Sequence, residues 1–577
     1  MTNVRQFLRN SWALATPYWC SEDRWAAWGL LGIVVVINLG LVYLNVLFNR
    51  WNNVFYNAIQ DKNYDVFTQQ LLRFAWLAAI FIALAVYQLY LNQMLQIRWR
   101  RWLTDRYLNA WLVDRTYYRM QLLAGDTDNP DQRIADDVRL FVTHTLTLSL
   151  EFLSAVVTLF SFIGILWGLS GPWIVPILGI TIPGYMVWAA LLYAILGTGL
   201  TEKVGRRLIR LDFDQQRYEA DFRFSLVRLR ENTEGVALYR GEGDELKTFR
   251  ERFAHVVENW WGIMTLRKRL TGFTVGFNQI AVIFPFIVAG PRFFRGEIAL
   301  GGLMQTASAF REVQQALSVV VDYRLYPQIA EWRAVVNRLT GFEAAMALAR
   351  PRPAAEGIRR GDAAAGIALE GLDLALPDGR PLLDGANARI AGGERVLLTG
   401  PSGSGKSTLF RAIAGIWPFG RGRITVPANA RVLFLPQKPY LPIGTLRDVV
   451  SYPMPAAGVT DAALREALEV VGLPGLARRL EENTHWALQL SPGEQQRIAF
   501  ARALVQKPDW LFLDEATSAV DEGTERGLYA LVTERLPGTA VVSIGHRPTL
   551  ETFHARQFVV RPNDHGSGSL DEIAIRR

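Results

Sequence analysis

The sequence predicts a chain of two different parts, an α-helical membrane domain followed by an α/β domain. Two observations predict this division. Long apolar runs are confined to residues 28–325, whereas residues 367–550 alternate short apolar strands with helical segments. The mean hydropathy of +0.11 and the 18 tryptophans are also high for a soluble protein. At 577 residues, the chain is too long for one ordinary domain.

Six apolar segments in the first part are long enough to cross the hydrocarbon core of a bilayer, which takes about 20 residues. The last segment is interrupted by Arg311 and Glu312, a pair that is costly in lipid but tolerated in a protein interior or beside an aqueous cavity. The predicted spans lie at residues 28–49, 73–95, 146–168, 173–197, 271–291 and 300–322.

Basic residues predict the orientation of these spans. The loops at residues 96–145 and 198–270 are rich in arginine, whereas the turn at 169–172 has no basic residue. Because basic loops are retained in the cytoplasm, we expect both termini, both long loops and the second domain on the cytoplasmic side. Residues 98–118 and 201–230 have helical spacing, so they are predicted to continue the spans as helices below the membrane.

The tips of the two long loops, at residues 128–131 and 235–243, are rich in turn-forming residues and are predicted to meet the cytoplasmic domain. Proline, alanine and glycine are frequent between the two parts, which favours a linker there. The predicted organisation is a membrane domain over residues 1–340, a linker over 341–366 and a second domain over 367–577.

Composition excludes some kinds of function. The single cysteine, Cys20, can build neither a disulfide framework nor a cysteine-based metal site. Much of the formal net charge of +8 lies in loops between apolar runs, so we expect no nucleic-acid partner. We also expect no cleavable signal, since no small-residue cleavage site follows the first apolar run.

Residues 400–408 predict a phosphate-binding loop. The stretch Gly-Pro-Ser-Gly-Ser-Gly-Lys-Ser-Thr follows a predicted strand at residues 395–399 and opens a predicted helix. Glycines let the backbone N–H groups of such a loop wrap phosphate oxygens at a helix N-terminus. Lys406 is predicted to reach the β- and γ-phosphates of ATP, and the Ser407 hydroxyl to bind Mg²⁺. The other predicted nucleotide contacts in the loop are Gly400, Ser402, Gly403, Gly405 and Thr408.

A second motif follows at residues 510–515, where an apolar strand ends in two acids. Asp514 is predicted to contact Mg²⁺, and Glu515 to orient or deprotonate the attacking water. Many strands end in an acid, and it is the position after a phosphate-binding loop that makes this one specific. Together the two motifs predict hydrolysis of a nucleoside triphosphate.

Residues 490–497, Leu-Ser-Pro-Gly-Glu-Gln-Gln-Arg, predict the start of a helix. Ser491 is the expected N-cap, Pro492 the first helical residue and Glu494 the partner of Ser491 in a capping box. A helix N-terminus that presents a serine hydroxyl and a glycine N–H can bind an anion. The stretch resembles the signature of the ABC ATPases, whose usual form is Leu-Ser-Gly-Gly-Gln.

Other parts of the same family pattern occur in register with this signature. Gln437 resembles the Q-loop glutamine, residues 518–521 resemble the D-loop, and His546 resembles the switch histidine. The resemblance implies catalytic roles for Gln437 and His546 beside Glu515, and a metal contact by Gln437.

ABC ATPases hold each ATP between the phosphate-binding loop of one subunit and the signature of another. The resemblance therefore implies that Ser491 and Gly493 contact ATP bound by a second copy, and that the chain acts as a homodimer. Two positions depart from the family pattern. Pro492 offers no N–H, and Leu376 stands where an aromatic usually stacks on adenine, so Leu376 is expected to pack on that ring.

The membrane half carries Trp-Asn-Asn-Val-Phe-Tyr at residues 51–56 and Asp-Asn-Pro-Asp-Gln-Arg at residues 128–133. These blocks resemble the membrane domain shared by SbmA/BacA-type bacterial importers and the peroxisomal subfamily D half-transporters. The resemblance is strongest to bacterial YddA-like proteins, in which this domain is fused to an ABC ATPase. It implies the exporter-type ABC fold, with six spans and long intracellular helices.

The resemblance implies ATP-driven transport, and our first interpretation is uptake of bulky amphipathic solutes, such as peptides or cobalamin-like compounds, across a bacterial inner membrane. Transport of fatty acyl derivatives, including export, and an ATP-gated channel without active pumping stay open. The intramembrane residues Glu151, Asn92 and Gln279 are predicted to contact the solute. Pairing of Glu151 with an arginine, proton coupling through it, and amide hydrogen bonds across helices are the alternatives.

Overall fold

The computed structural model describes residues 4–124, 129–174, 181–319, 325–350, 357–363, 366–455, 458–562 and 567–573. Its contacts divide the chain into two compact units. The first is Met1–Ala110 with Asp128–Ala344, and the second is Trp111–Thr127 with Ala345–Arg577. The second unit therefore includes a short segment that separates two helices of the first unit along the chain.

The first unit is helical. Its helices are α1 (Val4–Trp19), α2 (Arg24–Gln60), α3 (Tyr64–Leu112), α5 (Pro130–Gln132), α6 (Val138–Ser170), α7 (Tyr185–Glu231), α8 (Thr233–Tyr239), α9 (Glu242–Phe294), α10 (Leu300–Val319) and α11 (Leu325–Ala349). The short strands β1 (Pro172–Ile174) and β2 (Thr181–Pro183) pair antiparallel between α6 and α7. A π-helical turn at Arg133–Asp137 joins α5 to α6.

Within the described ranges, four helical segments are long and apolar enough to cross a membrane: Arg24–Gln60, Tyr64–Leu123, Pro130–Ser170 and Glu242–Phe294. A shorter apolar segment covers Tyr185–Gly197. These segments contain five of the predicted spans in whole or in part, and α10 covers most of the sixth. The count of six membrane crossings stays a prediction.

The predicted start of the fourth span, at residue 173, is wrong. Strands β1 and β2 occupy the described parts of its first half, and α7 begins only at Tyr185. Gly171 and Gly184 adopt φ values of 62° and 64°, which interrupt a helix on both sides of the strand pair. Residues 175–180 and the last three residues of the predicted sixth span lie outside the described residues.

The helix predicted over residues 98–118 is interrupted. A short 3₁₀ turn, Val113–Arg115, follows α3, and within it Asp114 and Arg115 have φ values of 53° and 58°. Non-glycine residues rarely adopt this left-handed conformation, so the chain changes direction there. It then forms α4 (Thr116–Ala124). The helix predicted over residues 201–230, in contrast, lies entirely within α7.

Amide side chains join α2 to α10. Asn49 Nδ2 donates to the main-chain oxygen of Gln305 at 3.0 Å, and Gln305 Nε2 donates back to Asn49 Oδ1 at 3.1 Å. Asn53 Nδ2 donates to Gln305 Oε1 at 2.7 Å, and Asn57 Oδ1 accepts the N–H of Gly301 at 2.8 Å. The three asparagines are four residues apart and so share one face of α2. We call Asn49, Asn53, Asn57 and Gln305 the amide ladder.

An apolar cluster holds the other apolar helices together. It includes Phe162 of α6, Tyr193 of α7, Ala281 of α9, and Phe310 and Val313 of α10, all of them buried. The cluster places this part of α10 among segments that are apolar enough to cross a membrane.

Two arginines of the first unit have well-defined partners. Arg292 donates to the carbonyl oxygens of Leu169 and Ser170 at 3.1 and 2.7 Å, at the C-terminal end of α6, where the helix dipole favours a cation. Arg338 of α11 binds Asp137 through two nitrogens, at 2.6 and 2.9 Å, and the Asp137 side chain is only 2% exposed. A buried carboxylate needs such partners.

The second unit is an α/β domain. Its helices are α4, α12 (Lys406–Ile413), α13 (Leu446–Ser451), α14 (Asp461–Val470), α15 (Pro474–Ala477), α16 (Trp486–Gln489), α17 (Pro492–Gln506) and α18 (Glu522–Arg535). Its strands are β3 (Ile358–Ala363), β4 (Ile367–Ala375), β5 (Pro381–Ile390), β6 (Arg395–Thr399), β7 (Gly420–Pro427), β8 (Val432–Leu435), β9 (Gly444–Thr445), β10 (Asn483–Thr484), β11 (Trp510–Asp514), β12 (Ala540–Ile544), β13 (Arg556–Pro562) and β14 (Gly568–Ile573).

Ten of these strands form one sheet in the order β3-β7-β4-β5-β14-β13-β6-β12-β11-β8. The neighbours β13, β6, β12, β11 and β8 run parallel, so their carboxyl ends meet at one edge. In open α/β sheets, ligands bind at this edge. Apolar clusters on the two faces of the sheet hold it against α12 and α17.

The predicted linker over residues 341–366 contains regular structure in its described parts. Helix α11 continues to Ala349, and β3 pairs in parallel with β7 over its whole length. The predicted tip at residues 235–243 is likewise mostly helical, since α8 ends at Tyr239 and α9 begins at Glu242. Only Arg240, with a φ of 55°, and Gly241 separate these helices.

Candidate nucleotide-binding site

The predicted phosphate-binding loop connects β6 to α12. Gly400, Gly403 and Gly405 have φ values of 147°, 79° and 92°, which side-chain-bearing residues rarely adopt. A side chain at Gly400 would also lie 2.7 Å from the carbonyl oxygen of Val560. Both conformation and space therefore require glycine in this loop.

Lys406 is buried at the start of α12 and folds back over the loop. Its ammonium group donates to the carbonyl oxygens of Gly400 and Pro401, at 2.9 and 2.7 Å. Burial lowers the pKa of Lys406, and the nearby carboxylates of Glu515 and Asp514 partly counter this. The amine thus lies within the loop that is predicted to hold the phosphates.

The hydroxyl groups of the loop are consistent with a phosphate ligand. Ser404 Oγ is buried and has no hydrogen-bond partner among the described residues. A buried donor of this kind fits a phosphate oxygen as its acceptor. Ser402 is exposed on the loop, whereas Thr408 is buried within α12.

Ser407 and Asp514 meet beside the loop. Ser407 Oγ donates to Asp514 Oδ1 at 2.9 Å, although the residues are 107 positions apart. Burial raises the pKa of Asp514, and the Ser407 hydrogen bond acts in the opposite direction. A hydroxyl and a carboxylate are oxygen ligands of the kind that Mg²⁺ prefers. Among the described residues, no group of three or more His, Cys, Asp or Glu side chains could hold a metal ion by itself.

Glu515 is held from two sides. Gln437 Nε2 donates to its Oε2 at 3.1 Å, and His546 Nε2 lies 3.5 Å from its Oε1. The Glu515 backbone has a φ of 47°, and its N–H donates to the Ile544 carbonyl at 3.1 Å. Left-handed backbone in a non-glycine residue is uncommon and is found preferentially at functional sites. The structure thus brings together the three predicted catalytic side chains.

Gln496 connects two of the loops around Glu515, although no motif in the sequence marks it as a site residue. Its side chain lies on α17 and is almost fully buried. Its Nε2 donates to the Gln437 carbonyl oxygen at 2.9 Å and to Ser518 Oγ at 3.1 Å, and its Oε1 accepts the Ala519 N–H at 2.9 Å. The sequence feature that could have identified Gln496 is its position in the signature stretch, two residues after Glu494.

The signature stretch forms the predicted capping box. Ser491 Oγ accepts the Glu494 N–H at 3.3 Å, while Glu494 Oε2 accepts the Ser491 N–H at 2.9 Å and its hydroxyl at 2.8 Å. These hydrogen bonds from Ser491 lower the pKa of Glu494. A side chain at Gly493 would lie 2.9 Å from the Ala519 carbonyl oxygen, so glycine is required where the signature meets the D-loop.

Both parts of the chain match known protein families. Residues 14–294 match the family ABC transporter transmembrane region 2, and residues 383–518 match the family ABC transporter. The inner membrane ABC transporter ATP-binding protein YddA of Escherichia coli is 35% identical, over 94% of this chain and 96% of that protein. The chain is an ABC transporter. It carries one membrane region and one ATPase domain, and it couples ATP hydrolysis to transport.

The transporter is also similar to a mammalian lysosomal transporter and to a bacterial exporter of known structure. The lysosomal cobalamin transporter ABCD4 of Mus musculus is 27% identical, over 97% of this chain and 95% of that protein. The solved structure of a bacterial Atm1-family ABC exporter with ATP bound superposes with a TM-score of 0.69, over 95% of this chain and 94% of that chain, at 18% identity. The predicted family and the exporter-type fold are confirmed.

Leu376 lies at the turn between β4 and β5 in the transporter. It is half-buried and packs against the apolar cluster that includes Leu374 and Leu383. The expected packing of Leu376 on adenine stays a prediction.

The segment Trp111–Thr127 contacts the ATPase domain within the second unit. Arg115 Nη1 donates to the carbonyl oxygen of Ala414, just after α12, at 2.7 Å. Leu122 packs against the apolar cluster on the same side of the sheet. Burial raises the pKa of Tyr118, and nearby Arg411 acts in the opposite direction. The described contacts thus come from the 3₁₀ turn and α4, before the tip predicted at residues 128–131, of which Asp128 lies outside the described residues.

The predicted solute contacts have different surroundings in the membrane helices. Asn92 of α3 is half-buried, and its Oδ1 has no hydrogen-bond partner within the described residues. Gln279 of α9 and Glu151 of α6 are exposed. These three residues lie on three different helices, and their role in solute binding stays a prediction.

Proposed function

We propose that this ABC transporter takes up bulky amphipathic solutes, such as peptides or cobalamin-like compounds, across a bacterial inner membrane and acts as a homodimer. The location is supported by the similarity to the inner membrane protein YddA, and the solute class by the similarity to a lysosomal cobalamin transporter. We further propose that both termini and the ATPase domain are cytoplasmic, which the basic loops at residues 96–145 and 198–270 support.

The observation that supports the ATP-driven part of the proposal is the carboxylate of Glu515, held by Gln437 on one oxygen and facing His546 on the other. A carboxylate fixed in this way can orient water and accept its proton during attack on the γ-phosphate. His546 would then contact the γ-phosphate as the water attacks. The proximity of these groups supports hydrolysis at this position.

Lys406 and the loop N–H groups would hold the β- and γ-phosphates. Ser407 and Asp514 would hold Mg²⁺, with Gln437 as a further contact, and the bound ion neutralises phosphate charge. The 2.9 Å contact between Ser407 and Asp514 places both oxygens at one point beside the loop. The buried hydroxyl of Ser404, a residue outside the predicted contacts, would donate to a phosphate oxygen.

The signature would complete the site of a second copy. Ser491 is exposed at the N-terminus of α17, and Gly493 follows it in the first turn. Helix N-termini favour anions, which supports contact with the γ-phosphate held by the other subunit. Each copy supplies one phosphate-binding loop and one signature, so a two-fold dimer satisfies both.

Coupling would pass through the segment Trp111–Thr127. Both of its ends continue into helices of the membrane unit, while Arg115 and Leu122 contact the ATPase domain. Closure of the two ATPase domains on ATP would therefore pull on α3 and α6. The interaction of Arg115 with Ala414 lies just beyond the helix that the phosphate-binding loop begins.

Proteoliposomes with ATP added outside test the direction, since only copies with outward-facing ATPase domains then hydrolyse it. We expect loss of lumenal cobalamin or amphipathic peptide against its gradient, because uptake into the cytoplasm corresponds to movement out of the vesicle. Accumulation in the lumen, with an acyl-CoA as a further probe, would establish export instead. Equilibration without a gradient would establish a channel.

The control is the same experiment with Glu515→Gln. This variant is expected to bind ATP and to leave every gradient unchanged. Solute movement at the rate of the unmodified protein in Glu515→Gln vesicles would contradict transport driven by hydrolysis at this site.

A further inference from the structure

Helix α10 has one exposed face, and it is polar. Of the described side chains from residue 300 to residue 317, only Arg311 and Gln315 are exposed. They are four residues apart and therefore lie on the same side of the helix. The remaining side chains are buried or half-buried against neighbouring helices, including Phe310 and Val313 in the apolar cluster.

Arg311 lies at membrane depth. Its neighbours Phe310 and Val313 pack with Phe162 of α6, within a segment apolar enough to cross a membrane. It also lies six residues along α10 from Gln305, which bonds to Asn49 at the end of the first apolar run. Six residues of helix correspond to about 9 Å. Arg311 is therefore well inside the hydrocarbon layer.

Helix α9 shows what a lipid-facing surface looks like in this protein. Phe284 of α9 packs on Phe310, and the exposed side chains from residue 280 to residue 290 are all apolar: Ile280, Val282, Ile283 and Ile287. These are suitable for lipid, whereas an arginine at the centre of a bilayer costs about 2.5–3.5 kcal/mol or more. The exposed face of α10 therefore fits water or a polar ligand rather than lipid.

Arg311 also differs in its surroundings from Arg292 and Arg338 of the same unit. Arg292 caps α6, and Arg338 binds the buried Asp137. Arg311 makes no hydrogen bond or salt bridge in the described part of the chain, and Glu312 is its electrostatic neighbour. Glu312 is half-buried, and adjacent residues on a helix do not face each other. The guanidinium thus remains available to an anion.

We propose that Arg311, with Gln315 beside it, forms an anion-binding site on the translocation pathway and binds a phosphate or carboxylate group of the amphipathic solute. A guanidinium matches both groups, because its nitrogens bind two oxygens at once. In a homodimer two such sites would face the pathway. The inference rests on the proposed function and narrows its solute class to amphiphiles that carry an oxyanion.

The first test measures whether the exposed face of α10 meets water. Cys20 is the single cysteine and is exposed, so Gln315→Cys is made in a Cys20→Ser chain and treated with a membrane-impermeant, negatively charged methanethiosulfonate reagent. Ile287→Cys in the same chain is the matched control, because Ile287 is exposed on α9 two turns beyond Gln279 and on a different side of the helix. We expect Gln315→Cys to react at least tenfold faster than Ile287→Cys. Equal, slow labelling of both would overturn the proposal.

The second test measures charge selectivity in nanodiscs of phosphatidylcholine. The probes share a twelve-carbon chain and are dodecyl phosphate, dodecanoate, dodecyl maltoside and dodecyltrimethylammonium, each below its micellar concentration. We expect the two anions to stimulate ATPase activity at the lowest concentrations. Arg311→Ala should raise their half-maximal concentrations about tenfold or more, as loss of a hydrogen bond to a charged group predicts, and leave the maltoside unchanged.

Further variants keep this result interpretable. Arg311→Lys should retain most of the anion preference, Arg311→Glu should shift it to the cation, and Arg267→Ala on the exposed surface of α9 should match the unmodified protein. Unchanged anion curves in Arg311→Ala, at normal basal activity, would overturn the site while leaving amphiphile transport intact. No response to any amphiphile, with no solute movement in vesicles, would reject the proposed function and the site together.

Discussion

The nucleotide-binding site and the polar residues of the membrane helices are built on different principles. In the ATPase domain, residues far apart in sequence meet at one edge of a parallel sheet, as Ser407 and Asp514 do at 2.9 Å. In the membrane unit, the polar groups of the amide ladder hydrogen-bond to one another, as the paired bonds of Asn49 and Gln305 show. Polar residues in the first region converge on a site, whereas these residues in the second join two helices.

The difference arises from how each architecture positions side chains. Parallel strands all end at the same edge, so a residue that follows a strand is placed by topology alone. A residue on a helix is placed by rotation, and each step along the chain turns it by about 100°. Sequence motifs therefore specify the nucleotide site, whereas packing decides which membrane residues face a ligand.

The largest expected effect is on ATP hydrolysis in Glu515→Gln. The substitution keeps the shape of the side chain but removes the carboxylate that would accept the water's proton. Loss of a general base costs about 10²–10⁴-fold in rate, so the turnover of ATP should fall by at least a hundredfold while ATP binding persists. Steady-state ATPase activity and nucleotide binding by the purified protein measure both.

Glu522→Gln is the control for that loss, because Glu522 lies in the first turn of α18 and outside the contacts of Glu515. It should retain nearly full activity. An equal loss in both variants would mean that the domain tolerates no change of charge in this region, and the comparison between the two regions would lose its support.

Gly301→Ala should have the next largest effect and tests the amide ladder. A side chain at Gly301 would lie 1.9 Å from the Asn53 carbonyl oxygen, so α2 and α10 would have to separate. Overpacking of this kind costs about 2 kcal/mol. We expect a lower thermal midpoint for the detergent-solubilised protein. Gly302→Ala, whose nearest neighbour would be 3.7 Å away, should leave the midpoint unchanged or raise it.

The fold was largely predictable where chemistry fixes conformation. The phosphate-binding loop, the strand that ends in Asp514 and the Ser491 capping box all form where the sequence predicts them. The turn at Asp114 and Arg115 was not predictable, because neither residue type favours a left-handed backbone strongly enough to indicate a turn from sequence alone. The strands β1 and β2 were missed because their apolar residues continue a pattern that reads as a span.

The placement of the candidate site residues was predictable to the same extent and for the same reason, while their roles stay predictions. The contacts of Glu515 with Gln437 and His546 join residues that motif spacing had already selected. Gln496 was missed, since a glutamine inside a helix carries no signal of what it will touch. Arg311 was noticed only as an interruption in a span, because its exposure depends on which side of α10 the other helices cover.

Gln496→Met tests whether the missed residue positions the catalytic loops. The substitution conserves volume but removes the hydrogen bonds to Gln437, Ser518 and Ala519. We expect about a tenfold lower kcat, corresponding to about 1.4 kcal/mol, with little change in KM for ATP. Gln495→Met is the matched control, because Gln495 bonds only to carbonyls before its own helix in the described residues. A rise in KM at constant kcat would instead indicate a role in nucleotide binding.

The smallest expected effect is on the pH dependence of stability. It arises because buried titratable groups have different partners in the two regions. Asp137 in the membrane unit is paired with Arg338, whereas His554 in the ATPase domain bonds to the Leu550 carbonyl and to Ser543 Oγ and has no carboxylate partner in the described structure. Burial lowers the pKa of His554 to about 4. Below pH 6.5 the unfolded chain therefore takes up a proton that the folded chain does not, and stability falls with pH.

Between pH 7 and pH 6 this uptake should cost about 0.7 kcal/mol of unfolding free energy. The cost should be absent in His554→Gln, which keeps polar atoms near Ser543 but cannot titrate. Thermal midpoints of both proteins at the two pH values, compared as differences, isolate the histidine from carboxylates that titrate in both. The effect requires that the imidazole of His554 stays neutral inside the folded ATPase domain. An identical pH dependence in the two proteins would show that His554 takes up its proton in the folded chain as well, and therefore that solvent reaches it.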